Sequence, residues 1–426
     1  MVSTFHGLEV AKRGLFTQQS ALYTTGHNIS NANTPGYTRQ RVNFEQTGPF
    51  PAASRNRPEI PGQIGSGVQA GSIERVREEF LDLQFRNENN KTGYYASMSN
   101  SLSKMEEIMN EPSDQGLAKT MDRFWQSLQD LATHPEANET RTVVRQRGIA
   151  FSETFNYLSN SINGLRQDVK NEINVTTKDI NSLASQINSL NKQIAEVEPH
   201  GMLPNDLYDE RDRLVDQLSG LVDIKVTNVQ NSKSASAMAD GIYTIEIVGE
   251  NNQSLFQDGS GKSVALVDGN SLTYTQVDIK DEGADNSVSQ IGLKSSGSET
   301  TLSTVDATDF GSMGKLRGLV DSYGYENGNG EAVGIYPNML NELDNMAFTF
   351  AQKFNDVHES GNSLNEIDNG TASDIAFFGD NNGSFNRKGY ARRMEIAQSI
   401  KDSVSNIAAS VTDNKGNGEN ALNLGE

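Results

Sequence analysis

The chain has 426 residues, with 36 Lys and Arg against 56 Asp and Glu and a formal charge of −20. That balance argues against nucleic acid or an anionic membrane as the main partner. The absence of cysteine excludes disulfide scaffolds, thiolate metal sites and cysteine nucleophiles. Hydrophobic residues make up 35 % and mean hydropathy is −0.58, lean for one large globule and suited to long helices or thin domains. At about 100–200 residues per domain, the length predicts two to four domains. There is no apolar run of about 18 residues, so no membrane span is expected. The N-terminus lacks the basic, apolar and small-residue sequence of a cleaved secretory signal. Charge is uneven: residues 1–70 are net +3, leaving −23 on the rest.

Residues 4–33 read as a helix with Leu8, Leu15, Leu22 and Ile29 every seven residues. Lys12, Gln19 and Gly26 lie midway between them, so one apolar residue per heptad is too thin to hold an isolated helix in water. This helix is either an ordinary amphipathic one lying on its own domain or one that is disordered in the monomer and ordered only by partners. Pro35-Gly36 ends it. Residues 37–72, with Pro49, Pro51, Pro58 and Pro61, read as an extended connector with short edge strands around Arg41–Phe44 and Val68–Ile73.

Strong helical rhythm follows. Tyr95, Met98, Leu102, Met105 and Met109 form one stripe, interrupted at Glu111-Pro112-Ser113-Asp114. Leu117, Met121, Phe124, Leu128 and Leu131 form a second, interrupted at His134-Pro135. The third runs from Val144 to Val197 with a single 4-4-3 stutter at Val169, Ile173 and Thr176. A helix over 138–198 would be roughly 90 Å long at 1.5 Å per residue, a coiled-coil-like rod. Leu207, Arg211, Leu214, Leu218 and Leu221 add a shorter helix, with Asn205 or Asp206 as its N-cap.

Character changes near residue 223. Ile242–Val248 and Leu272–Val277 read as strands, and Asp268-Gly269 after Val264–Val267 is a hairpin signal. Residues 223–310 hold 5 basic and 13 acidic groups, which marks a small acidic β-domain. Helical rhythm returns at Leu340, Leu343, Ala347, Phe350, Phe354 and Val357, followed by Asn/Gly/Asp-rich loops around Phe377-Phe378. The tail from Asn414 to Leu422 reads as the loop before another helix.

Chemistry-bearing motifs are few. Gly259-Ser260-Gly261-Lys262-Ser263 is half of a phosphate loop, but Phe256 stands where the first glycine belongs and a strand follows, so it reads as a hairpin loop. The Gly370 and Gly418 segments lack the ligands of a calcium loop. His6, His27, His134, His200 and His358 have no His partner at helical metal spacing, and His358 reads as a packing or capping residue. No Gly-x-Ser-x-Gly elbow occurs. No catalytic, metal or cofactor site is expected, hence no enzyme.

The run Asn28-Ile29-Ser30-Asn31-Ala32-Asn33-Thr34-Pro35-Gly36-Tyr37-Thr38-Arg39-Gln40 resembles the N-terminal signature of the bacterial flagellar rod, hook and hook-associated axial proteins. Asn205–Leu218, Gly314–Leu319, Phe350–His358, Phe377-Phe378-Gly379 and Asn406–Ser410 are similar to the hook-associated protein 1 (FlgK) family in particular. The resemblance implies a mainly α, elongated, multi-domain fold: an N-terminal axial helix at 1–36, a discontinuous helical rod domain at 37–222 and 311–426, and an inserted β-domain at 223–310. It implies a structural subunit of the hook–filament junction, assembled as a ring with copies of itself. Hook protein would lie below, and a second hook-associated protein or the filament above. The subunit would be exported unfolded to the cell exterior by the flagellar type III route with an export chaperone, and would use no cofactor or small-molecule substrate. Another axial protein, hook or distal rod, is the alternative. The expected subunit-assembly residues are Leu8, Leu15, Leu22, Ile29, Asn28, Asn31, Asn33, Pro35, Gly36 and Tyr37. In that family a second long helix at the C-terminus pairs with the first; here the chain ends at Gly418–Glu426, about where it would begin, which predicts a truncated or incomplete sequence.

Overall fold

A computed structural model describes residues 5–52, 54–55, 62–109, 116–298, 300–370, 374–380 and 385–425. Pro58, Pro61 and the Glu111–Asp114 interruption lie outside the described residues. In chain order come α1 (His6–Ser30), β1 (Gln40–Gln46), β2 (Val68–Arg75), α2 (Glu79–Ile108), α3 (Leu117–Thr133), α4 (Asn138–Val197) and α5 (Asn205–Leu221). A sheet region follows, with β3 (Ile224–Val229), β4 (Ile242–Ile247), β5 (Val267–Asp268), β6 (Thr273–Lys280), β7 (Gln290–Ser295) and β8 (Thr301–Asp306). Next are α6 (Lys315–Tyr323), β9 (Tyr325–Glu326), β10 (Ala332–Val333) and α7 (Ile335–Glu359). The remainder alternates β11 (Asn362–Ser363), α8 (Leu364–Asn369), β12 (Phe378–Asp380), α9 (Tyr390–Arg393), β13 (Met394–Ile396), α10 (Gln398–Asp402), β14 (Ala408–Ser410) and α11 (Glu419–Asn423). The chain is mainly helical with an inserted sheet, as its patterning predicts. Contacts group it into one unit of Met1–Tyr95, Val175–Lys280 and Gln290–Arg317, and a second of Ala96–Asn174, Asp281–Ser289 and Gly318–Glu426.

In the first unit β3 to β8 form an antiparallel meander in sequence order. Tyr243, Ile245 and Ile247 alternate along one face of β4 and are buried, as are Val277, Ile291 and Leu293 on β6 and β7. The helix α4 joins this sheet through two asparagines rather than through apolar contact alone. Asn191 donates to Tyr243 O (2.8 Å) and accepts from Tyr243 N (3.2 Å). Asn181 does the same with Val277 O (3.0 Å) and Val277 N (2.7 Å). Each carboxamide thus completes a strand residue's backbone pair. Residues 259–263 form a turn whose amides are already taken: Asp258 Oδ1 accepts from Ser260 N and Lys262 N (2.9 and 3.0 Å). The strand β5 is shorter than the sequence predicts and begins at Val267, although Leu266 N donates to Ile245 O (2.8 Å) and Leu266 O accepts from Thr275 N (2.9 Å).

The 60 residues of α4 match the expected 138–198 within one residue, and the stutter residues Val169, Ile173 and Thr176 are all buried. The pattern fails on α2. Its buried positions are Arg86, Asn90, Ser97 and Ser101, whereas Tyr95 and Leu102 of the predicted stripe are exposed. The reason is close approach. A Cβ on Gly93 would stand 2.0 Å from Gly220 O, and Asn89 Nδ2 donates to Asp216 O and Ser219 Oγ (both 2.9 Å). Only small or hydrogen-bonding side chains fit where two backbones lie this near. The N-cap of α5 also differs: Pro204 occupies it, and Asn205 instead donates to Ile73 O (3.0 Å) while Asp206 accepts from Gln40 (3.3 Å).

In the second unit an aromatic core joins α3, α4, α7 and the 374–380 segment. Phe124 stacks on Phe151 at 5.9 Å between centroids and lies tilted against Phe354 at 5.4 Å, and Phe377 and Phe378 lie 4.9 Å apart. Asn355 of α7 clasps that segment, accepting from Phe377 N and Phe378 N and donating to Phe378 O (3.0, 2.8 and 2.7 Å). Gly148 lets α4 reach the core, since a Cβ there would stand 2.9 Å from the Phe377 ring. The buried Arg141 donates to Pro135 O and Ile407 O (2.8 and 2.6 Å), and burial lowers its pKa to about 10. The tail settles as the short α11, with Asn420 donating to Ala408 O (2.9 Å).

His358 packs as the sequence suggests. Its Nε2 accepts from Ala408 N (2.9 Å), so Nδ1 carries the proton and donates to Ile375 O (2.7 Å). Burial lowers its pKa to about 4. The unfolded chain, with an ordinary imidazole near 6.5, then takes up the proton first as pH falls. Stability contributed by the neutral ring is complete above pH ~6.5 and is lost toward pH ~4. Urea unfolding of the wild type should show that loss. His358→Phe should be about 1–3 kcal/mol less stable at pH 7, with two backbone groups unpaired, and should lack this component of the pH slope.

Candidate assembly surface

The helix α1 lies on the β1–β2 hairpin by its polar side. His6 Nε2 is 3.2 Å from Gly65 O, Arg13 donates to Ser66 O (3.3 Å), and the Thr17 hydroxyl is shared between Arg13 O (2.8 Å) and Val68 O (3.2 Å). Its two fully buried residues are Thr17 and Thr24. The apolar stripe is on the other side: Leu8, Leu15, Leu22 and Ile29 are 66–72 % exposed, and Phe16 and Tyr23 flank them, also exposed. One apolar residue per heptad gives the helix no inward-facing seam, so polar groups seat it instead.

The turn that follows holds α1 at a fixed exit. Thr34–Tyr37 closes with Tyr37 N donating to Thr34 O (3.2 Å). Pro35 and Gly36 fill the two central positions, and Gly36 has φ +85°, the left-handed conformation a type II turn requires. Asn28 is the clasp. Its Nδ2 donates to Gln40 O (2.8 Å), and its Oδ1 accepts from Gln40 N (2.9 Å) and from the Tyr37 hydroxyl (2.7 Å). The Tyr37 oxygen in turn lies 3.0 Å from His27 Nδ1. Burial, then Asp206 and Asp209, raise the Tyr37 pKa, which keeps its hydroxyl a donor. Asn31 caps the helix end by donating to His27 O (3.1 Å), whereas Asn33 and Pro35 are exposed.

Below the turn lies a feature that periodicity does not reveal. Thr38 N donates to Asp209 Oδ2 (3.0 Å), and Asp209 Oδ1 accepts from the buried Arg75 (2.9 Å), which also meets Asp212 (2.8 Å) and Asp240. Arg86 pairs with Asp216 (2.7 Å). Arg211, placed by spacing in an apolar stripe, is fully buried, 3.4 Å from the centre of the Tyr243 ring, and donates to Gly241 O (2.6 Å). Burial alone would raise the Asp212 pKa, but Arg75, Arg77 and Arg211 outweigh it and hold the carboxylate below its ordinary value. The signal available in the sequence was the density of charge in Asp209–Asp216, too high for a helix with a conventional apolar face.

Across residues 102–378 the sequence matches the family described as the flagellar hook-associated protein FlgK helical domain. Residues 8–38 match the flagella basal body rod protein family. It is 44 % identical over 428 residues to flagellar hook-associated protein 1 of Bacillus subtilis, covering 100 % of this chain and 80 % of that protein. The chain belongs to the flagellar hook-associated protein 1 family. Within that family it is 27 % identical to the Salmonella typhimurium protein over 290 residues, 65 % of this chain and 47 % of that one. The flagellar hook junction protein FlgK from Burkholderia pseudomallei shares the fold, with TM-score 0.52 and 20 % identity over 70 % of this chain and 46 % of that chain. Hook-associated relatives are structural flagellar proteins. Among the described residues no group of three or more His, Asp or Glu could hold a metal ion, and no helix is long and apolar enough to cross a membrane.

Asn28→Ala removes both partners of the Gln40 backbone. Hydrogen exchange at the Gln40 amide should rise roughly ten- to a hundredfold, equivalent to about 1–3 kcal/mol, while Asn33→Ala should leave it unchanged.

Proposed function

We propose that the chain is a structural subunit of the flagellar hook–filament junction, and that Leu8, Leu15, Leu22 and Ile29 form its subunit-assembly surface. The observation that carries this reading is the exposure of those four side chains on a helix whose opposite side is already bonded to the hairpin. Each is worth about 1.5–3 kcal/mol when buried, so packing against neighbouring copies supplies a driving force that the separate chain does not use. Asn28, Asn31, Pro35, Gly36 and Tyr37 would fix the direction of the stripe, and Asn33 would meet neighbours directly.

The wider reading follows from family membership. The subunit assembles into a ring on the hook and receives the next hook-associated protein or the filament above. It reaches the cell exterior by type III export with a chaperone, and it performs no catalysis. The domain division is an axial helix at 1–36, a helical domain at 37–222 and 311–426, and an inserted acidic domain at 223–310 that keeps the subunit soluble. The absence of cysteine suits a chain threaded unfolded through a channel. The rod-protein family match covers residues 8–38, whereas the FlgK helical-domain match covers residues 102–378, which favours the junction over hook or distal rod.

The test is complementation of a strain lacking its own copy. Leu15→Asp with Leu22→Asp should leave the purified chain's helical circular dichroism and unfolding midpoint unchanged and the variant secreted, yet give hooks without filaments in electron micrographs. Normal filaments would contradict the assembly role, and a large loss of monomer stability would mean that the stripe packs intramolecularly.

A further inference from the structure

Asparagine followed by glycine occurs six times, at Asn163, Asn327, Asn329, Asn369, Asn382 and Asn417. Such a pair is chemically labile, because an unhindered glycine nitrogen stands beside a carboxamide carbon, and the fold decides which pair can react. The attacking nitrogen must be free. Gly164 lies inside α4, where its amide belongs to the helix ladder. Gly330 N donates to Asn327 O (2.9 Å), and Gly370 N donates to Glu366 O (2.8 Å). The pair at 382 lies outside the described residues. Gly418 is wedged against α3: a Cβ on it would stand 2.0 Å from Ala132 O, so its backbone has no room to swing toward the Asn417 carboxamide.

Asn327 differs on each count. It opens the turn between β9 and β10, and Gly328 beside it is exposed. A Cβ on Gly328 would meet nothing within 4 Å, and the Gly328 amide has no hydrogen-bond partner among the described residues. Asn327 Oδ1 accepts from Asn329 N (3.0 Å) and Glu331 N (2.9 Å). The first of these bonds closes an Asx turn, which folds the carboxamide back over the Gly328 nitrogen. Both donors polarise the carbonyl and stand where negative charge develops when its carbon is attacked.

We propose that Asn327 is a self-modification site, converted by the Gly328 nitrogen to aspartate and isoaspartate. The nitrogen gives up its proton to solvent and bonds to Cγ, the Cγ–Nδ2 bond breaks, and ammonia leaves behind a cyclic imide. Water then opens one or the other imide carbonyl, so that the sum is amide plus water to acid plus ammonia. Before the step Asn327 Nδ2 donates to Glu331 Oε2 (3.2 Å); after it that donor is gone, and a new carboxylate stands beside Glu331. In the isoaspartate the former side-chain carbonyl joins the main chain. The acceptor shared by the Asn329 and Glu331 amides is then lost, in a hairpin whose strands have two residues each. The step is one-way in water, so its extent records the time since folding.

The test ages the full chain at mildly alkaline pH and follows each asparagine by peptide mass mapping. Conversion at Asn327 should run several-fold faster than at Asn163, Asn329, Asn369 or Asn417, and in urea the five rates should draw together. Gly328→Ala, which meets no neighbouring atom, should keep the unfolding midpoint and slow the reaction several-fold. In the separated isoaspartate fraction, hydrogen exchange at the Glu331 amide should be several-fold faster than in the unaged chain. Equal conversion at Asn327 and Asn329 in the folded chain would overturn the site, and the same ranking in urea would overturn the part played by the fold. A rate unchanged by Gly328→Ala would overturn the route through that nitrogen, and unchanged exchange at Glu331 would overturn the loosening of the turn.

Discussion

A side-chain carboxamide offers a donor and an acceptor side by side, the same pair that a strand residue offers its neighbour, and this fold depends on that equivalence. Asn28 pairs with Gln40, Asn181 with Val277, Asn191 with Tyr243 and Asn355 with Phe378, each a helical asparagine bonded to both backbone groups of one extended residue. A helix has no free backbone groups along its length to give an adjacent strand. The asparagine supplies them without any large apolar side chain at the contact. Helices can thus be seated on extended segments by polar bonds while their apolar residues remain available elsewhere.

That division explains the inverted helices. The inward side of α1 is Thr17, Thr24 and Asn28, and that of α2 is Arg86, Asn90, Ser97 and Ser101 about the closely approached Gly93. Their leucines and aromatics face out. For a protein that functions alone, such exposure is a liability. For a member of a family named for its place on the flagellar hook, it is the surface we propose neighbours cover. The buried Arg75, Arg86, Asp209 and Asp212, with the half-buried Asp216, connect these seats: Asp209 holds the turn after α1, and Asp216 holds α2 through Arg86. A buried charge network adds little net stability but strongly penalises any arrangement that separates its partners, which suits a joint that must keep one geometry.

Much of the architecture was legible because long periodic segments announce themselves. The boundaries of α4 followed from the sustained 3-4 rhythm, and the inserted sheet from a change in composition at residue 223. The turn at Pro35-Gly36 was readable from the backbone preferences of those two residues. What periodicity could not show was which side of a helix faces in when the inward side is polar. Tyr95 and Leu102 looked like core and are exposed, while Arg211 looked like an intrusion in an apolar stripe and is fully buried. The Asn205 cap failed for a related reason, since its side chain is used by Ile73 O across the unit. Local rules assign a side chain to its own helix, and here tertiary partners take it.

The central claim is that α1 is held in place by polar bonds while its apolar stripe stays open until neighbours cover it. The most direct measurement is thiol labelling of Leu15→Cys, once in the purified chain and once in flagella isolated from cells carrying the same variant. The account predicts rapid labelling of the separate chain and strong protection in the assembled junction. Slow labelling of the separate chain, or equal rates in both states, would contradict it.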